Sequence, residues 1–183
     1  KLQNDFASKD GGGELKDAFL QWNSEELANV RFGQFKVPFM KQERLDSYRM
    51  FFPERSTVND SYTLGRMQGA MLYKTMGPSN VYLGVFNGES DGEGLNKPGF
   101  DTKHNAAAAA DLALGEFGNR WEEGDFRKVR DAAASIGLAA EYSQGMHDLS
   151  EDAESAALAD FDKVALDADA AFRLAGFEAD AEV

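Results

Sequence analysis

The chain has 183 residues, a mass of 20.0 kDa and a formal net charge of −13, with a pI near 4.5. That charge excludes a nucleic-acid binder, because nothing concentrates the Lys and Arg needed to neutralise a phosphate backbone. The absence of cysteine excludes a disulfide scaffold and a thiolate metal site, and no run approaches the ~18 apolar residues of a membrane helix, which leaves a strand-built membrane protein open.

In chain order, residues 1–7 (KLQNDFA) contain no signal-peptide apolar region and read as a strand. Segments 14–22 (ELKDAFLQW) and 27–38 follow as strands across the tight connection 23–26. A long connection, 39–65, precedes strands 66–76 and 81–86, which are joined tightly through 77–80. Segment 87–104 is long again. Its start, Asn87-Gly88-Glu89-Ser90-Asp91-Gly92, resembles a calcium loop, but the twelfth position, where an EF-hand needs Glu, is Pro98. It reads as a polar loop. In 106–115 the run Ala106 to Ala110 favours helix by propensity and strand by the pattern of its neighbours; strand is the reading adopted. Period-two alternation is clearest in 135–142 (SIGLAAEY) and 163–173 (KVALDADAAFR), separated by the acidic connection 143–160. After the turn Leu174-Ala175-Gly176, apolar Phe177, Ala179, Ala181 and Val183 alternate with Glu178, Asp180 and Glu182. The alternation is still running at Val183, so the expectation is a hairpin cut short. Connections that alternate short and long are the habit of up-and-down outer-membrane barrels.

Three stretches resemble the phosphate-selective porin O and P family. KLQNDFA followed by ELKDAFLQW resembles two successive barrel strands, and Val30 to Phe39 (VRFGQFKVPF) is similar to the family's Gly-Gln-Phe-Lys-x-Pro-Phe strand. Phe51 to Asn59 (FFPERSTVN) resembles the start of its long third loop, and Val85 to Gly88 (VFNG) is a weaker match. The likeness implies a sixteen-stranded antiparallel transmembrane β-barrel and a homotrimer in the bacterial outer membrane, in contact with lipid and lipopolysaccharide. It implies passive diffusion of small polar or anionic, phosphate-like solutes, with the third loop folded inward as a constriction. On that architecture residues 1–183 are a single partial barrel domain of about eight or nine strands, truncated at both ends. Two features depart from phosphate selectivity: the strands carry no arginine ladder, and the net charge is strongly negative.

If 39–65 lies in the pore, Lys41, Arg44, Arg49 and Arg55 would line the constriction and favour anions. The plainer alternative is a solvated loop whose arginines pair with Glu43 and Glu54. A lipid-facing lysine costs roughly 2–4 kcal/mol near mid-membrane. Gln34 and Lys36, opposite Phe35, Val37 and Phe39, are therefore expected in the lumen, and so are Arg66, Gln68 and Lys74. Asp167, Asp169, Glu178, Asp180 and Glu182 would form a facing acidic wall on the final hairpin, with Glu141 also in the lumen and Ile136, Leu138, Val164, Leu166 and Phe172 turned to lipid. Trp22, Phe35, Phe39, Tyr73, Tyr82 and Tyr142 would supply interfacial girdles in a barrel, or plain core in a soluble protein.

His104 and His147 lack metal-peptidase spacing, and no nucleophile elbow or phosphate-binding glycine loop appears. The chain is read as a non-enzyme needing no cofactor or metal. Its rivals are a soluble all-β binding module and a barrel that serves as a structural anchor for other envelope components.

Overall fold

Strands joined by short turns pair with their neighbours in sequence, and alternation then gives each face of the sheet its own chemistry. A computed structural model describes residues 2–5, 14–87, 104–115, 131–148, 158–175 and 177–183. Its strands are β1 Leu2–Asp5, β2 Glu14–Trp22, β3 Asn29–Lys36, β4 Arg66–Met76, β5 Ser79–Asn87, β6 His104–Leu114, β7 Ala133–Asp148, β8 Leu158–Leu174 and β9 Phe177–Glu182. They form one antiparallel sheet in the order β1 to β9, and among the described strands β1 and β9 do not pair, so the sheet is open. The all-β antiparallel reading holds. No described helix is long and apolar enough to cross a membrane.

Register fixes the faces. One cross-sheet row runs Thr75, Asn80, Asp111, Gly137, Asp169, Glu182; another runs Phe19, Gly33, Gly69, Phe86, Asn105, Ser143. Both lie on what we call the inner face. On the outer face Leu20, Leu83, Val85, Leu138 and Leu166 are exposed, Leu166 at 75%. Leaving such side chains uncovered is ordinary for a strand against lipid and unusual over so wide an area in water.

The glycines in the second row make room for rings. A Cβ on Gly69 would lie 2.6 Å from the Phe86 ring, and one on Gly33, whose φ is +130°, would lie 2.2 Å from the Ala18 carbonyl oxygen. Phe35 fills the space above, edge-on to Phe19 at 6.0 Å and to Phe86 at 5.6 Å.

The connection 37–65 is not a plain loop. It contains α1 Lys41–Arg44, a 3-10 turn at Ser47–Arg49 and α2 Thr57–Tyr62, and it folds over the inner face. Val37, Phe39, Met40 and Leu64 from this segment form one core with Phe35, Met67, Met71 and Phe86 and with Ala107, Ala109 and Ala139 of the sheet. This explains the alanine run of β6. Helix propensity yields to hydrogen bonding with β5 and β7, and small side chains on the inner face let the segment approach.

Several boundaries differ from the sequence reading. β7 and β8 run on into 143–160, pairing from Ser143 with Lys163 to Asp148 with Leu158. Ladder bonds use the backbone, so a polar stretch outside an apolar band pairs as well as an apolar one. β3 ends at Lys36 rather than at 38, where Pro38 supplies no N–H. The tight turn at 77–78 puts Gly77 at φ +61° before Pro78, the pair of signs a type II′ hairpin needs. Phe35, expected opposite the water-facing side, is 1% exposed on the inner face. The calcium-like stretch from 88 and residues 149–157 of the acidic connection lie outside the described residues.

Candidate functional site

Every predicted constriction cation lies in the inward segment, and the structure gives each a separate partner. Lys41, 4% exposed, directs its ammonium to Asp180 of β9, while its backbone N–H and that of Gln42 donate to Glu182. Arg44 grips Asp111 of β6 with two parallel bonds of 3.2 and 2.9 Å and lies 4.4 Å from the centre of the Tyr82 ring. Such a planar fork is the strongest carboxylate contact an arginine makes. Arg55 stays within the segment, donating to the carbonyls of Gln42 and Leu45 and meeting Glu43 at 3.3 Å. Arg49 lies against Tyr48 and 3.9 Å from Asp46.

Glu43 ties the segment together. It receives Arg55, Lys36 at 3.5 Å and the amide of the fully buried Asn59 at 3.4 Å. Asn59 belongs to α2, whose N-terminus is capped by Ser56 accepting from the Asn59 N–H at 3.1 Å. A six-residue helix would not persist alone, so its shape depends on this cap and on the buried Glu43–Asn59 contact.

Between the segment and strands β2 to β5 lies a hollow of about 480 Å³, bordered by Arg31, Lys36, Arg44 and Arg66, by Asp17 and Asp46, and by the rings of Phe19, Phe35, Tyr73 and Tyr82. Lys36 reaches it because alternation ends with β3, and its ammonium donates to the carbonyls of Glu43 and Leu45. Arg66 bonds Asp17 at 2.8 Å. The remaining predicted lumen residues of this half do not join the hollow. Gln34 is buried where β2 parts from β3, donating to the carbonyls of Leu15 and Lys16. Gln68 is exposed on the outer side with Leu72, and Lys74 caps the β2–β3 turn through the carbonyls of Glu25, Glu26 and Leu27.

The acidic residues lie together on the inner face of β7 to β9. Glu141, 1% exposed, accepts from Asn105 at 2.6 Å; Asp167 and Asp169 are buried; Glu178 holds Arg173 through two bonds of 2.9 and 3.1 Å. Ile136, Leu138, Val164, Leu166 and Phe172 are exposed on the other side. Of the expected girdle aromatics, Trp22 and Tyr142 are exposed, while Phe35, Phe39, Tyr73 and Tyr82 belong to the inner side.

Two residues of this candidate site escaped the sequence reading. Asp111 carried a signal: a carboxylate in register with alanines of one face marks that face as the one away from lipid. Arg31 carried one as well, since it and Lys36 fall on opposite faces of one strand, which strict alternation cannot send to a single compartment. Among the described residues, no three His, Cys, Asp or Glu are arranged to hold a metal.

No curated protein and no solved structure matches the chain. The family model for phosphate-selective porin O and P matches residues 1–181. An apolar outer face, a charged inner face and a segment folded across that inner face are what a pore wall requires, and the chain belongs to the phosphate-selective porin O and P family.

Proposed function

We propose that the chain forms wall and constriction of a water-filled outer-membrane pore, through which small polar and anionic solutes diffuse passively. The observation that carries this reading is the inward segment, fastened across the inner face by Arg44 to Asp111 and by Lys41 to Asp180. A segment so held narrows any lumen it crosses, and charge at the narrowest point governs which ions pass. The flanking hollow carries four cations, and the far wall carries the carboxylates, so a permeating ion meets a field directed across its path.

The outer apolar face suits lipid and lipopolysaccharide, and the protein assembles as a homotrimer in this reading. A soluble binding module is disfavoured, since its water-facing side would carry Leu20, Leu83, Leu138 and Leu166 uncovered. The test is reconstitution of the full-length protein in planar bilayers. Discrete conductance steps with an anion-leaning reversal potential in a salt gradient are expected; a protein that inserts into lipid yet never conducts would overturn the reading.

A further inference from the structure

The hollow beside the segment holds four cations that are not equivalent. Lys36 faces Glu43 at 3.5 Å, Arg44 faces Asp111 at 2.9 Å and Arg66 faces Asp17 at 2.8 Å. Arg31 has no carboxylate partner among the described residues. Its Nε and Nη2 both donate to Gln21 Oε1, at 3.0 and 2.8 Å, which fixes the plane of the guanidinium. Three rings surround it, with centres 4.4 Å away for Phe19 and 5.4 Å for both Phe35 and Tyr73. Tyr73 in turn stacks on Tyr82 at 6.1 Å.

This arrangement has a definite preference. A multiply charged inorganic anion needs several uncompensated donors converging on it and gains nothing from ring faces. Here one cation carries charge that no carboxylate among the described residues matches, held beside aromatic rings that offer a flat apolar body contact area. We propose that the hollow is a binding station for singly charged organic carboxylates with a planar apolar body, and that Arg31 is its specificity-determining residue. The proposal rests on the pore reading and names the solute class that lingers beside the constriction. The carboxylate would accept from the Nη1–Nη2 edge of Arg31 that Gln21 leaves free, and its flat body would lie against Tyr73.

The experiment measures chloride current through the full-length protein in planar bilayers, with benzoate, acetate or phosphate added to one side. Benzoate is expected to halve the current at a concentration about tenfold below that of acetate. Arg31→Gln should raise the half-blocking benzoate concentration about tenfold, in keeping with loss of one charge-assisted contact, and leave phosphate little altered. Because Arg31 packs against rings, Tyr73→Leu serves as a second variant and should weaken benzoate block while sparing acetate. Equal block by benzoate and acetate in the unaltered protein overturns the proposal, as does benzoate block that neither variant changes. Channels that conduct chloride but ignore benzoate defeat this inference alone, whereas absence of channels defeats the pore reading beneath it.

Discussion

Asp111 is 1% exposed in a strand otherwise rich in alanine, and Arg44 reaches it from the inward segment, 67 residues away in sequence. Removing one member of a buried pair costs far more than the pair is worth, because the remaining charge stays in a poor solvent. Arg44→Ala is expected to destabilise the protein by about 3 kcal/mol, read from urea unfolding in lipid vesicles, and Arg44→Met with Asp111→Leu should recover most of it. Equal losses in the single and double variants would show that the cost does not come from a stranded buried carboxylate. The same geometry governs selectivity. Lys41 and Arg44 already face carboxylates, so changing Lys41, Arg44 and Arg49 together to Gln unmasks Asp180 and Asp111 as well as deleting three cations. The reversal potential in a salt gradient should shift toward cation preference; an unmoved potential would place the narrowest point elsewhere. None of these pairings was legible in the sequence. Which carboxylate meets which arginine depends on where the segment crosses the sheet, and period-two patterning does not encode that path.

At the scale of elements, the strands were the most readable part because a half-buried strand must alternate. β9 and β8 from residue 163 showed their two faces, while β3 was misleading. Its Phe35 belongs inside with Phe19 and Phe86, and Lys36 reaches the same hollow only because the strand stops there. Gly33 is what makes that packing feasible, since its φ of +130° and its contact with the Ala18 carbonyl leave no place for a Cβ. Gly33→Ala should cost about 1–3 kcal/mol of backbone strain, beyond any steric shift, seen as a lower urea midpoint. A midpoint equal to that of the unaltered protein would show that β2 and β3 tolerate a different spacing. The helices of 37–65 were hidden because they are too short to display a 3.6-residue period, and only the Ser56 cap marks one of them.

At the scale of the whole molecule, the two faces of the sheet make opposite demands. Leu166 is 75% exposed on the outer side, while its neighbour Asp167 is buried on the inner side. In lipid, Leu166→Arg is expected to cost about 2–4 kcal/mol if it lies near mid-membrane, whereas Asp167→Asn should leave membrane stability nearly unchanged and alter only conductance or selectivity. Urea titration in vesicles checks both, and a neutral Leu166→Arg would take that face out of the bilayer. The fastenings of the inward segment also carry a temporal meaning. Arg44 waits for a partner 67 residues downstream and Lys41 for one 139 residues downstream. Contacts so distant in sequence close late, after the intervening strands have paired. The inward segment is thus expected to be the last part to acquire its shape. While the sheet is being laid down, 37–65 is expected to stay open to proteases, moored first when β6 joins and finally when β9 does. Protection of that stretch should arrive in two steps, making the segment a clock for how far assembly has progressed.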